Sequence, residues 1–158
     1  MNLFIMRHGD ADTKVHIDEQ RPLTEQGVLE VKVMAKWLAN EAVEFDAIFV
    51  SPYLRTQQSA QTLKAELNAS AALQTLDLIT PAGSASAVHD YLDGMMTLER
   101  YSNVLIVSHM PLVSYLLAEM SFEKSAPIFA TAAIAQINYN TKLMAGHIVK
   151  HVSPEDFC

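Results

Sequence analysis

Leu3-Phe4-Ile5-Met6-Arg7-His8-Gly9 is the stretch on which the fold turns. Four consecutive apolar residues, one aromatic and one β-branched, are too few for an amphipathic helix and fit a strand buried on both faces. The run then stops on a cation, an imidazole and a glycine. Strands buried on both faces belong to parallel sheets between helical layers, and such sheets bind ligands at the carboxyl ends of their strands. Residues after Met6 are therefore candidates for chemistry.

Two further runs repeat the pattern. Ala47 to Val50 ends in Ser51-Pro52, with Arg55 one helical turn on, and Val104 to Val107 ends in Ser108-His109-Met110-Pro111. Leu76 to Ile79 reads as a shorter strand, and Ala133 to Ile137 with Gly146 to Val152 as strands at the far edge. Helical patterns lie between them. Val28, Val31, Ala35 and Leu38 recur at helical spacing after Thr24, which reads as an N-cap. Ser51-Pro52 reads as an N-cap and first-turn proline before Ala60, Leu63 and Leu67. Ala87, Tyr91 and Met95 mark a third helix, and Pro111 opens a fourth over Leu112 to Met120. Strands alternating with helices predict an α/β fold, a three-layer α/β/α arrangement with a mainly parallel central sheet.

Composition bounds the rest. The chain has 158 residues, half of them hydrophobic and 18% charged, so it buries a core within one domain spanning 1–158. With 11 Lys+Arg against 18 Asp+Glu the net charge is −7, which argues against general binding to nucleic acid or anionic membrane. One cysteine, Cys158, excludes an internal disulfide framework and any multi-cysteine zinc site. No apolar run approaches the roughly 18 residues that span a bilayer. The apolar start is too short for a signal-peptide core and has no basic region before it. The expected location is the cytoplasm.

The strand ends deliver Arg7, His8, Arg55 and His109 to one edge of one sheet. Arginine offers a rigid fork of donors matching phosphate oxygens, and histidine serves as nucleophile or proton carrier near neutral pH. Gly9 lets backbone approach a ligand closely and offers an N–H. Together these residues point to phosphoryl transfer through a covalent phosphohistidine. The cluster His8, Asp10, Asp12 and His16 invites a metal reading, but its spacing matches no ligand pattern, and Asp10 to His16 reads as a solvated loop. His89, His147 and His151 read as surface or edge-strand residues, and Met95-Met96 as core.

Arg7-His8-Gly9 at the end of the first strand resembles the signature of the histidine phosphatase (phosphoglycerate mutase-like) superfamily. The resemblance extends to Arg21-Pro22-Leu23-Thr24 with Gly27, to Ser51-Pro52-Tyr53-Leu54-Arg55-Thr56 and to Val107-Ser108-His109. Four motifs in family order carry far more weight than a lone Arg-His-Gly. The start "RHGDA", the segment "RPLTEQG" and the stretch "LITPAG" are similar to the SixA-type phosphohistidine phosphatases.

The resemblance implies that His8 is the nucleophile, that Arg7 and Arg55 hold the phosphoryl oxygens, and that His109 is a further donor. Arg21 contacts the phosphate or the substrate's flank, and neither metal nor cofactor is required. Larger members carry an insertion after the second arginine that supplies a lid and an acid. Only Ala60 to Asn103 is available here, so no separate lid domain is expected. The proton donor is Asp77, Asp18 or none. A missing lid fits a phosphohistidine-carrying protein, a histidine phosphotransfer domain or phosphocarrier, as partner. A small phosphomonoesterase of the same superfamily and a non-catalytic phosphoprotein-binding module are the alternatives.

Overall fold

Six strands form one sheet in the order β3-β2-β4-β1-β5-β6. They are β1 Asn2–Arg7, β2 Ala47–Val50, β3 Leu73–Thr75, β4 Asn103–Ser108, β5 Ile134–Asn140 and β6 Ala145–Val152. The first four run parallel, while β5 lies antiparallel to β1 and pairs with β6. Helices α1 (Glu25–Asn40) and α2 (Leu54–Leu67) cover one face; α3 (Ala85–Glu99) and α4 (Leu112–Met120) cover the other. This computed structural model describes residues 1–157, so Cys158 and the reading of its chemistry lie outside it.

The three layers follow from the alternation inside each apolar run. Leu3 and Ile5 pack toward α3 and α4, whereas Phe4 and Met6 pack toward α1 and α2. Successive strand side chains point to opposite faces, so a strand covered on both sides is apolar throughout. All four side chains are buried, and each contributes about 1.5–3 kcal/mol. The same split holds for β4, with Val104 and Ile106 on one side and Leu105 and Val107 on the other.

Helix starts are fixed by local chemistry. The Thr24 hydroxyl accepts the Gly27 N–H at 3.0 Å, as expected of an N-cap, and Ser84 caps α3 through the Ala87 N–H. Between α2 and β4 the chain forms only β3, a short 3-10 turn and α3, and the described residues contain no separate lid.

Several expectations need correction. Leu76 to Ile79 is not a strand: β3 ends at Thr75, and Asp77–Ile79 is a 3-10 turn. An edge strand with two of three residues exposed carries little apolar signal, whereas Leu76 and Ile79 are apolar because they plug the core beneath the turn. Ser51-Pro52 does not cap α2: the helix starts at Leu54 with Tyr53 at the N-cap, and the Ser51 hydroxyl meets His109 and the Tyr53 N–H. The buried face of α3 is Val88, Leu92 and Met96, one residue on from the expected stripe. His89 is buried, not superficial. Its ring joins Glu119 at 3.2 Å and the Tyr139 hydroxyl at 2.9 Å, and Tyr139 donates to Asp93 at 2.6 Å.

Among the described residues no helix is long and apolar enough to cross a membrane. A cavity of about 730 Å³ lies where β1 and β6 begin and β5 and α3 end. It is lined by Met1, Arg100, Tyr139 and Lys142 among others and holds none of the motif residues. The chemistry is therefore sought at the other end of the sheet, where the motif residues gather.

Candidate active site

Strands β1 and β4 are neighbours in register, with Met6 opposite Val107 and Arg7 opposite Ser108. The next residue of each is a histidine, so His8 and His109 leave the sheet side by side. Their ring centroids are 5.3 Å apart, and both rings are buried. Strand β2 delivers Ser51 to the same edge, and the first turn of α2 brings Arg55 over it.

The hydrogen bonds of His8 assign its two nitrogens. Nδ1 lies 2.7 Å from the Gly9 carbonyl, which only accepts, so Nδ1 carries the proton. Nε2 accepts from Arg55 Nε at 3.3 Å and so presents its lone pair toward the guanidinium. Burial pushes the His8 imidazole down to about 4, against the Gly9 bond, with the charges of Arg55, Arg7 and Arg21 adding to the shift. His8 is thus neutral at physiological pH. In an NMR titration its ring-proton signals should stay constant from pH 8 to 5.5 and move only as pH approaches 4; a midpoint near 6.5 would contradict this geometry.

His109 is held by Ser51, whose Oγ lies 2.7 Å from Nε2. Ser51 Oγ also accepts the Tyr53 N–H at 3.4 Å; in the tautomer where the serine proton goes to Nε2, Nδ1 carries the ring N–H. Nδ1 is buried without a partner. Burial pushes this ring down to about 2, with His8, Arg55 and Arg7 adding to the effect. Tyr53 packs edge-on to His109 with centroids 4.9 Å apart and lies under the Arg55 guanidinium at 5.0 Å. Arg7 donates through Nη1 to the Phe129 carbonyl at 2.7 Å, while its Nε is buried and unpaired. Unsatisfied buried donors are rare in folded proteins. The Arg7 Nε–H is one, the unpaired His109 Nδ1 lies in the same cluster, and together they describe a place for an anion.

Arg55 and Arg21 meet through Asp18. Arg55 Nη1 donates to the Asp18 carbonyl at 2.7 Å and Nη2 to its carboxylate at 3.2 Å. Arg21 Nη1 reaches the other carboxylate oxygen at 3.1 Å, and its Nε holds the Asp12 carbonyl at 2.7 Å. Burial works upward on the Asp18 carboxyl, but the bonds from Arg21 and Arg55 outweigh it and hold it below the usual carboxylate range. Asp18 is therefore ionised and poorly suited to donate a proton. Asp77 sits exposed in the turn after β3 and has no hydrogen-bond partner.

The expected role of Gly9 is corrected. Its N–H does not face a ligand but donates to Ser59 Oγ at 3.0 Å, and Ser59 in turn donates to the Arg55 carbonyl at 2.7 Å. Its missing side chain serves close backbone contact: a Cβ on Gly9 would come within 2.6 Å of the Gly27 carbonyl, and one on Gly27 would strike the Asp10 carbonyl. The two glycines pinch the nucleophile loop against the first turn of α1. Gly27→Ala should cost about 1–3 kcal/mol in urea unfolding, since backbone cannot yield as a side chain can.

Ser59 and Glu30 are residues that the sequence reading missed. Glu30 accepts the Asp10 N–H at 2.9 Å and the Thr131 hydroxyl at 2.9 Å. Ser59 was detectable in principle, one helical turn beyond Arg55; Glu30 had no local signal. The residues of the suggested metal cluster go elsewhere. Asp10 accepts from Thr24 at 2.7 Å, Asp12 from the Lys14 N–H at 2.7 Å, and His16 is exposed. Among the described residues no three His, Cys, Asp or Glu side chains converge as ligands.

Comparison with known proteins follows the same motifs. A model of the histidine phosphatase superfamily (branch 1) matches residues 3–79. Phosphohistidine phosphatase SixA of Escherichia coli (strain K12) is 41% identical over 137 residues, covering 87% of this chain and 84% of that protein. A SixA homolog of Haemophilus influenzae is 35% identical over 144 residues, covering 87% of each. A solved structure of the protein histidine phosphatase SixA complexed with tungstate matches all of both chains, at 37% identity and a TM-score of 0.95.

Proposed function

We infer that this chain, which belongs to the histidine phosphatase superfamily, is a phosphohistidine phosphatase that works through a covalent phospho-His8 intermediate. The observation that carries the reading is His8 Nε2, set beside Arg55 in a cluster with Arg7 and His109 in which Arg7 Nε and His109 Nδ1 are buried and unpaired.

In the first step the Arg55 Nε–H leaves His8 Nε2 for the incoming phosphoryl oxygens, and the freed Nε2 lone pair attacks phosphorus as the bond from phosphorus to the substrate's histidine nitrogen breaks. Arg7, Arg55 and the Nδ1–H of His109 stabilise the charge on the transferring oxygens, and Arg21 flanks them. The departing nitrogen keeps the electron pair. Its conjugate acid has a pKa of about 6.5, so solvent can supply the proton and no strong protein acid is needed. Neither Asp18 nor Asp77 donates in this scheme. In the second step water attacks phospho-His8, the P–N bond breaks, His8 regains its lone pair and orthophosphate leaves with the water's oxygen. Every charge-stabilising task falls to this chain's side chains, so the reaction proceeds without metal.

Among the described residues no separate lid domain stands above the sheet edge, which suits a phosphohistidine protruding from a protein such as a histidine phosphotransfer domain or a phosphocarrier. The single domain expected over 1–158 and a cytoplasmic location belong to this reading. Phosphate release from a phosphohistidine-bearing protein, compared with sugar phosphates and phosphoglycerate, tests it. The phosphohistidine protein should be the better substrate by at least about tenfold, with activity retained in chelator. Faster cleavage of small esters would instead favour the phosphomonoesterase alternative.

A further inference from the structure

Arg55 is almost fully buried, with 5% of its side chain exposed, and a buried cation needs a counter-anion. That anion is Asp18, half-exposed at 51% on the turn Asp18–Gln20. Its two carboxylate oxygens do not share one arginine; each takes a different one, Arg21 at 3.1 Å and Arg55 at 3.2 Å. Bridging two guanidinium groups with separate oxygens is what a phosphoryl group does in such a site.

The turn that carries Asp18 lies at the surface, held from within by the two arginines, one of which also donates to the Asp18 carbonyl at 2.7 Å. None of its residues is buried, and its outer contact is a 3.5 Å bond from the Tyr53 hydroxyl to Glu19. Ile17, which leads into it, is apolar yet 52% exposed. Both arginines have other anchors. Arg21 keeps the Asp12 carbonyl through Nε, and Arg55 keeps the Tyr53 ring beneath its guanidinium at 5.0 Å. Departure of the carboxylate would therefore open two N–H donors without releasing either guanidinium.

We propose that Asp18 is a displaceable stand-in for the substrate's phosphoryl group, and that Ile17 to Gln20 form a latch opened by a protein substrate. A phosphoryl group carrying up to two negative charges and a carboxylate repel each other and compete for the same donors. In a pocket without a lid, this competition weakens capture of free orthophosphate and small phosphorylated molecules. A protein substrate overcomes it by pressing on the exposed Ile17 as its phosphohistidine enters. The proposal rests on the phosphatase reading for the identity of the anion, but its test does not require turnover.

Orthophosphate and tungstate are titrated calorimetrically into the intact protein and into the Asp18→Asn variant. The variant should bind both anions more tightly, by about tenfold for each negative charge the anion carries, the effect of removing one charge about 6 Å away at an effective dielectric of about 40. Unchanged or weaker binding would overturn the proposal, since weaker binding is the result if Asp18 serves only to orient Arg55. Asp18→Ser should shift affinity in the same direction. Thermal unfolding gives a second readout: Asp18→Asn should melt lower than the parent without anion and gain more from added phosphate. Equal gains would count against competition. If the variant binds phosphate more tightly while the parent releases none from phosphohistidine, the phosphatase reading falls and the latch stands.

Discussion

Replacing His8 by alanine should abolish turnover, lowering kcat on the order of 10⁴-fold or more, and should eliminate the phosphoenzyme. The expected loss is large because the variant lacks the imidazole nitrogen that meets Arg55, and its neighbour His109 is poorly placed to substitute. His109 is the nearest imidazole, but its Nε2 is occupied by Ser51 and its ring is offset by 5.3 Å. Removal of a covalent nucleophile commonly leaves only the residual catalysis of binding and charge stabilisation. The fold should survive, because the backbone at His8 is tied independently by its N–H to Ser108 and its carbonyl to Ala132. Rapid quenching with labelled substrate should trap an acid-labile phosphoenzyme in the parent and none in His8→Ala. A labelled variant would remove His8 from the role of nucleophile.

The second large effect should come from Arg55. Truncation to alanine is expected to lower kcat about 10²–10³-fold, the usual cost of deleting a donor aimed at transition-state charge. Arg55→Lys should recover little of it. The guanidinium uses Nε, Nη1 and Nη2 on three different acceptors, His8 Nε2, the Asp18 carbonyl and the Asp18 carboxylate. An ammonium on a flexible stem cannot reproduce that planar fork. Steady-state kinetics on a phosphohistidine protein check both variants. Lysine activity within about threefold of the parent would mean that charge alone matters at this position.

The parts of the fold readable from sequence are those whose burial is symmetric. Ala47 to Val50 matches β2 residue for residue, and Leu3 to Met6 and Val104 to Val107 fall one residue short of β1 and β4 at each end. Those strands are covered on both faces, so the apolar run and the strand nearly coincide. β3 escaped because an edge strand needs little apolar character, and its core-plugging neighbours Leu76 and Ile79 imitated one. His89 escaped for a different reason: its partners Glu119 and Tyr139 are 30 and 50 residues away, and polar pairing at such separation leaves no periodic trace. The motif residues Arg7, His8, Arg55 and His109 were readable because each lies at a strand end or in the first helical turn beyond one. Asp18 could be named only as a possible acid. Its position between two arginines, one of them 37 residues distant, is a product of the folded chain.

The register of β1 against β4 has a consequence for how such a site can change. Parallel neighbours in a sheet are about 4.8 Å apart, and His8 and His109 each stand one residue past the paired positions Arg7 and Ser108. The separation of nucleophile and donor is therefore gauged by backbone hydrogen bonding in the middle of the sheet, not by any loop. Loops around the rim can be lengthened, recharged or replaced to suit another partner while that gauge stays constant. In this architecture, choice of substrate and the spacing required for phosphoryl transfer are set by different parts of the chain, and each can vary without spoiling the other.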